Sequence, residues 1–464
     1  VAFKYTALSD SKSMSSSSPV IRIADLFAGI GGLRQGVVNG LSQQGYGTEI
    51  VFTSEIKKTA VQVLEDNFPD DRVSGDITKI NEKDVPDHDL LIAGFPCQAF
   101  SYAGKRAGFE DEVKGTLFFD VVRVLKEKKP ANFILENVEG LINHDPDPAN
   151  PKAAYGRTFK TILAALEELD YNLDWRLLVA TDFGVPQSRK RVFIVGSLNT
   201  VPNLSDLKKT VSAPISSILE KGLKETQPEV QKFTQLLKAE YGDLSVLEGK
   251  IFRDWRGGTR NLHSWNFNFK GKTSKQDREL LEALVAESKK GSWVPAGSRK
   301  VGEGSPLSET QIATFFSPAR GSLQEQLNKL TRLGYLREVD GKYKISSGKL
   351  SMPLSHILKH DSYANTLVAT DADRLAVLDE GEIRRFSNLE IRRLFGFPDD
   401  FILNEKLSRR AVFDLFGNSV VMPMAEAVAV SVFPKYIAHP PATNASAKKT
   451  SFLGKMLSRF TRKR

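Results

Sequence analysis

The sequence predicts an α/β fold: a mostly parallel sheet with helices on both faces, plus a second, smaller domain. Three observations predict it. Short apolar runs alternate with amphipathic stretches from Ile21 to Ser197, and strands that alternate with helices need right-handed crossovers and so pair in parallel. Residues able to do chemistry sit just past the ends of those runs, where such sheets place their ligands. The chain has 464 residues, 41% of them hydrophobic, which is enough to bury more than one core.

The Ser-rich start, "SDSKSMSSSSP", reads as a tail, with Met14 inside it as an alternative start. The apolar run "IRIADLF" is the first strand, followed by a Gly-rich turn and a helix with Leu33, Val37 and Leu41 on one face. "EIVFTSEI" and "TAVQVLEDNF" read as strand and helix, and "HDLLIAGF" as the next strand. After a loop rich in Gly and charge, Phe118, Val121, Val122 and Leu125 have the spacing of a buried helix face. "ANFILENV" is a strand, and Phe159, Ile162, Leu163 and Leu166 mark the helix after it. "WRLLVATDFGVPQSRKRVFIVGS" reads as two strands joined by a loop.

The 65 Lys and Arg against 56 Asp and Glu give a formal charge of +9 and a pI near 9.3, a balance that favours an anionic partner such as nucleic acid. The single cysteine, Cys97, excludes an internal disulfide framework, and with six histidines it forms no zinc-ligand cluster. A reducing, intracellular setting fits. No secretory signal stands out, and no run of about 18 apolar residues, so a soluble protein is expected.

Cys97 follows "LLIAGFP", Glu136 follows "NFIL", Asp25 precedes the glycine turn and Glu55 closes the second strand. A structural cysteine belongs inside an apolar run rather than just beyond one. In "DLFAGIGG" the glycines Gly29, Gly31 and Gly32 let the backbone turn tightly and approach a ligand, although their spacing is not that of G-x-G-x-x-G. Glu55 is placed to accept hydrogen bonds from ribose hydroxyls, and Asp76 in "SGDI" to meet an adenine amino group, as in a nucleoside-binding α/β domain. Each acid alone also reads as a surface group or a helix cap.

The blocks "DLFAGIGG", "GFPCQAFS", "LENVEG", "QSRKR" and "FGNSV" occur in the order of the DNA (cytosine-5)-methyltransferase family, and the chain resembles its bacterial restriction-modification type over about Ile21–Ser197 and again over Arg384–Ala438. The resemblance implies a Rossmann-like catalytic domain that binds S-adenosyl-L-methionine and releases S-adenosylhomocysteine, without a metal. It also implies a separate target-recognition domain and a cytosine rotated out of double-stranded DNA. Carbon 5 of cytosine becomes nucleophilic only after addition at carbon 6, for which a thiolate is the best protein group, and this gives Cys97 its role. By the same matching Glu136 protonates or hydrogen-bonds ring nitrogen N3. Arg191 holds the exocyclic oxygen, and Arg189 supports the site or a phosphate. Gln98 falls in the active-site turn and Ser101 near a backbone phosphate. Lys105 and Arg106, in the same loop, suit a phosphate or are plain solvated charges. The positions matching the cofactor pocket are Phe27, Gly29, Gly31, Gly32, Glu55, Ile56, Asp76, Ile77, Pro96, Leu117, Asn418 and Val420. Ile56 stands where some relatives carry an aromatic, so an aliphatic contact replaces adenine stacking. No side chain claims the final proton on carbon 5, and water is the default base.

The expected organisation is a tail over 1–19, the catalytic domain over 20–200 and 381–438, target recognition over 201–380, and a basic amphipathic tail over 439–464 with Phe452, Met456 and Phe460 on one side. In the middle, "FRDWRGGTRNLHSWNFNFKGKTSK" has the composition of loops that touch phosphates and base edges. The helix, helix and hairpin order over 305–348, turning at Asp340-Gly341, resembles a winged-helix module that either reads a groove or serves as scaffold. "SYANTLVATD", with Thr366 and Leu367, marks the return to the first domain. The implied setting is a bacterial cytoplasm, with a monomer acting on DNA, no membrane, and a cognate restriction endonuclease as a candidate partner. Two other readings stay open: a transfer-RNA cytosine methyltransferase, against which the large middle region speaks, and a DNA-binding protein on a retired scaffold, against which the intact Cys97, Glu136, Gln187, Arg189 and Arg191 speak.

Overall fold

A computed structural model of the chain describes residues 18–96, 117–147, 149–150, 153–254, 258, 260–288, 290, 293, 305–346, 352–367 and 374–435. These form two compact units, one of 18–218, 363–367 and 388–435, the other of 219–362 and 374–387. Residues 1–17 of the tail expected over 1–19, and all of the tail expected over 439–464, lie outside the described residues.

The first unit is built on strands β1 (Val20–Leu26), β2 (Gly47–Ser54), β3 (Leu90–Ala93), β4 (Asn132–Val138), β5 (Asn172–Val179), β6 (Gln187–Ser188) and β7 (Lys190–Ser197). Six of them form one sheet in the order β2-β1-β3-β4-β7-β5. β1 pairs in parallel with β2 and β3, and β3 with β4, while β7 runs antiparallel between β4 and β5. The strands are continuous apolar runs because both faces are covered: Leu90, Leu91, Ile92 and Ala93 are all fully buried. Short β6 pairs in parallel with Ala364–Asn365, which ties the segment from Tyr363 to this unit.

Helices α1 (Gly32–Gln43), α2 (Lys58–Asn67), α3 (Leu117–Lys128) and α4 (Arg157–Glu167) make the crossovers. α4 buries Phe159, Ile162, Leu163 and Leu166, and α1 buries Leu33, Val37 and Leu41, as their spacing requires. On α3 the buried stripe is Phe118, Val121, Val124 and Leu125; Val122, expected inside, is only partly buried. The buried face is therefore turned towards Val121 and Val124 rather than centred on Phe118 and Val122.

Three closing helices, α5 (Asn388–Leu394), α6 (Arg409–Gly417) and α7 (Met422–Val432), complete the unit. α7 packs on α1 at close range. A Cβ at Gly36 would stand 2.4 Å from the Met422 carbonyl oxygen, and one at Gly40 would stand 2.6 Å from that of Glu426. The chain's end therefore seals a core begun at its start. Arg409–Val432 is apolar enough, by length and composition, to cross a membrane, which the sequence reading overlooked. It forms two helices here, and the buried residues of α7 include Met424, Ala425, Val428 and Ala429.

The second unit carries a five-stranded sheet in the order Glu382–Arg385, Leu375–Asp379, His356–Leu358, Ile251–Phe252, Asn261–Leu262. Helix Pro228–Tyr241 packs Val230, Phe233 and Leu237 into its core. A separate core lies under helices Lys275–Glu287, Glu309–Ile312 and Leu323–Arg332 and a hairpin, Leu336–Val339 with Lys342–Ile345. The hairpin turns at Asp340 (φ 51°) and Gly341 (φ 68°), the left-handed pair that a two-residue turn demands.

Candidate active site

Register fixes the first feature. Leu26 pairs with Ala93 and Ala93 with Leu135, so Phe27, Gly94 and Glu136 leave three neighbouring strands at one level, at the carboxyl ends. The site divides into two halves along this edge.

In one half, three loops are laced together. The Phe27 backbone is left-handed (φ 57°), an uncommon conformation for a residue with a Cβ and of the kind held at ligand sites. Gly29 (φ 58°) donates its N–H to Glu55 Oε2 at 2.8 Å, and Glu55 Oε1 accepts the N–H groups of Ile56 and Lys57, each at 2.8 Å. Ser54 Oγ donates to the Gly75 carbonyl at 2.7 Å. The adjacent Asp76 caps the short turn Ile77–Lys79, accepting from the Thr78 N–H at 3.1 Å and its hydroxyl at 2.7 Å. These bonds, the Thr78 hydroxyl foremost, hold the Asp76 carboxyl below its usual range. Ile77 is buried, whereas Ile56 is 68% exposed. Gly32 takes a packing position: a Cβ there would stand 2.5 Å from Ser419 Oγ and 2.8 Å from the Val420 carbonyl. It seats the late "GNSV" block against the glycine turn, with Val420 buried and Asn418 exposed. The Asn418 amide donates to the Asp414 carbonyl at 2.8 Å.

Beneath the glycine turn lies a residue whose role the sequence left open. Asp25 is 1% exposed, and neither carboxylate oxygen has a hydrogen-bond partner among the described residues; Arg34 Nε stands 3.5 Å from Oδ2. Burial, only partly offset by Arg34, pushes its pKa up to about 7. Arg34 itself ends on Asp71 and lies over the Phe68 ring, 4.2 Å from its centroid.

In the other half, Glu136 and Arg191 form a buried pair, Arg191 Nε to Glu136 Oε1 at 2.8 Å. The antiparallel register makes them diagonal neighbours on one face, since Glu136 faces Phe193 and Val138 faces Arg191. Desolvation raises the Glu136 pKa against the pull of Arg191 and then Arg189. A Cβ at Gly94 would stand 3.5 Å from Glu136 Oε2, so β3 meets the carboxyl where it turns towards Pro96. Asn137 Nδ2 donates to the Phe95 carbonyl at 2.7 Å and fixes that turn. Pro96 is exposed and Leu117 half-buried; Cys97, Gln98, Ser101, Lys105 and Arg106 lie outside the described residues.

Arg189, expected to support the site or a phosphate, is an internal residue. Its side chain is fully buried and donates to three backbone carbonyls, those of Leu367 (2.8 Å), Gly417 (2.7 Å) and Ser419 (2.9 Å). Burial and the nearby Arg191 push its pKa down to about 9, which leaves it a cation at neutral pH. Gln187 does similar work, donating to the Leu394 carbonyl at 3.1 Å from a fully buried position. Arg189 and Arg191 are both buried, but Arg191 meets Glu136 whereas Arg189 meets the carbonyls of segments that return from far along the chain. No spacing rule tells a carbonyl clamp from a substrate contact.

The family model for C-5 cytosine-specific DNA methylases matches residues 21–433. The chain is similar to the type II methyltransferase M.NlaIV of Neisseria lactamica, 43% identical over 425 residues that cover 88% of this chain and 97% of the relative. M.NgoBV of Neisseria gonorrhoeae is 42% identical over 88% of this chain and 97% of its own length. M.BanI of Aneurinibacillus aneurinilyticus is 37% identical over 89% and 96%.

Proposed function

Since the chain belongs to the C-5 cytosine-specific DNA methylase family and is a sequence-specific DNA (cytosine-5-)-methyltransferase, we propose that Cys97, Glu136 and Arg191 carry its chemistry on an extruded cytosine. The observation that supports this most is the buried Glu136–Arg191 pair at the end of β4, against the β3 turn that leads into Cys97. Cys97 Sγ adds to carbon 6. Glu136, whose raised pKa favours the protonated form, gives its proton to N3, so the electron pair released by the addition has somewhere to go. Carbon 5 is then enamine-like. Arg191 orients Glu136 and offsets charge on the exocyclic oxygen. After methyl transfer a water takes the carbon 5 proton, and the thiolate leaves as the ring regains its double bond.

Members of this family use S-adenosyl-L-methionine, and the residues present fit it. Gly29 and Gly75 have open space where a Cβ would sit, and Asp25 keeps two buried oxygens without donors. When bound, the cofactor supplies an electrophilic methyl group. Phe27, Gly29, Gly31, Glu55, Ile56, Asp76, Ile77, Pro96, Leu117, Asn418 and Val420 would line its place, with Glu55 towards ribose hydroxyls and Asp76 towards the adenine edge. Gly32 and Arg189 hold that wall from behind. We assign target recognition to the second unit, and we infer a monomer working on DNA in a bacterial cytoplasm beside a cognate restriction endonuclease, in keeping with its type II relatives.

Transfer of tritiated methyl groups to duplex DNA, with none to transfer RNA, is the expected result. Cys97→Ser should lose at least about 1,000-fold in rate, and a 5-fluorocytosine duplex should trap a covalent adduct at Cys97. Label transfer that persists in Cys97→Ser would end the proposed mechanism.

A further inference from the structure

Within the second unit, residues 305–346 and helix Lys275–Glu287 share a core of their own, including Leu280, Leu284, Leu307, Ile312, Leu327, Leu330, Tyr335 and Tyr343. Leu307 bridges Tyr343 antiparallel, so the hairpin gains a third, short strand. The order helix, strand, helix, helix, hairpin is that of a winged helix. Its second and third helices each open with a complete capping box, Ser308 with Gln311 and Ser322 with Glu325.

The surface of this module is not that of a neutral scaffold. Helix Leu323–Arg332 turns Leu323, Leu327 and Leu330 inward and leaves Gln324, Asn328 and Arg332 on the other side. Gln324 Nε2 donates to Asn328 Oδ1 at 2.9 Å and to Tyr343 Oη at 2.7 Å, so the two amides form a ladder tied to the hairpin. On the hairpin, Arg337 stands directly opposite Lys344 and Val339 opposite Lys342. Arg337 and Lys342 thus lie diagonally on one exposed strand face. Arg337, Lys342 and Arg332 meet no carboxylate among the described residues. A polyanion on that face would supply the counter-charge that these exposed cations do not meet among the described residues, and amides at i, i+4 suit base edges in a major groove.

We propose that this winged helix is a DNA-contacting module, in which Gln324 and Asn328 face a groove and Arg332, Arg337 and Lys342 meet phosphates of the duplex that carries the target cytosine. The inference rests on the DNA methyltransferase reading and adds a second contact to it.

The test uses the full chain and a duplex of about 40 base pairs around a site mapped by bisulfite sequencing. In Arg337→Gln/Lys342→Gln, the slope of log affinity against log salt should shrink by about two, with KM raised several-fold and kcat unchanged. Should that variant melt early, Arg332→Gln alone reads the same quantity, with a decrease of about one. A slope and KM equal to those of the wild type in both variants would overturn the proposal and leave the module as scaffold. Failure of the wild type to methylate any duplex would instead sink the parent reading, so the two failures are told apart.

Discussion

In the first unit, Arg34, Arg189 and Arg191 are 2%, 0% and 7% exposed, and each ends on a carboxylate or on backbone carbonyls. In the second, Arg260, Arg332 and Arg337 are exposed and meet no carboxylate among the described residues. The same side chain serves as internal fastener at the first three positions and as open cation at the other three, although the second unit also holds one fastener, Arg384, buried on Asp379. A buried guanidinium is costly unless fixed partners take most of its donors, which ties it to short, ordered sequence blocks. An exposed one needs only to be near a phosphate. The first use is legible as a motif and the second is not.

The largest effect expected on this contrast is at the buried pair. Glu136→Gln keeps the shape and a hydrogen bond to Arg191 but cannot deliver a proton, so kcat should fall by about 10²- to 10⁴-fold with the melting temperature little changed. The wild-type rate should decline as pH rises through the Glu136 pKa, which burial sets above that of an ordinary glutamate, and the variant's residual rate should lack that limb. A variant with near wild-type kcat would move the proton donor elsewhere.

Next is Arg189, where the expected loss is of fold rather than of chemistry. Arg189→Met leaves three buried carbonyls without donors and should cost about 3 to 5 kcal/mol. Calorimetry should register a drop of about 5 to 8 °C. If the variant melts normally but binds DNA with a smaller salt slope, Arg189 is a phosphate contact after all.

How much of this was readable in advance follows the same division. The apolar runs of β1 to β5 and the faces of α1 and α4 were legible because period and length decide them. That β7 would insert antiparallel between β4 and β5 was not, since "KRVFIVGS" looks the same whichever strands flank it. "QSRKR" offered separate roles for its two arginines but not their partners, which are Glu136 for Arg191 and the carbonyls of Leu367, Gly417 and Ser419 for Arg189. Those partners lie about 180 to 230 residues away in sequence, and backbone carbonyls leave no signature. Asp25 was visible as the last polar residue before the glycine turn, but its missing donors are a three-dimensional fact. Asp76 was read both as an adenine contact and as a cap, and the cap is in place.

A smaller, pH-dependent effect belongs to Asp25. Its folded pKa, about 7 against an ordinary 3.8, means that the stability it contributes is full below about pH 3.8 and is lost as pH rises through 7. Asp25→Asn should therefore melt higher than wild type at pH 8, by about 1 to 3 kcal/mol, and the gap should close towards pH 4. Its affinity for S-adenosyl-L-methionine, measured by calorimetric titration, should fall. If the variant instead melts lower at pH 8, the ion pair with Arg34 outweighs the cost of burial and no ligand need be invoked for this carboxylate.

The smallest effect is the complement of Arg189. Arg260 is exposed at the edge of the second unit's sheet, where the Ile251 N–H donates to its carbonyl at 2.8 Å. Register places Ile251 opposite His356, and burial first, then Arg253 and Arg260, push the His356 pKa down to about 4. Arg260→Gln removes a cation but no hydrogen bond on which the fold depends, so stability should stay within about 0.5 kcal/mol. Two readouts should move. The His356 titration, followed by NMR, should shift up towards an ordinary histidine, and the salt slope of DNA binding should shrink by about one. A shifted histidine with an unchanged slope would mean that the Arg260 field is local to the protein. The open cations of the second unit would then have to be ranked one by one rather than taken as a single DNA-facing set.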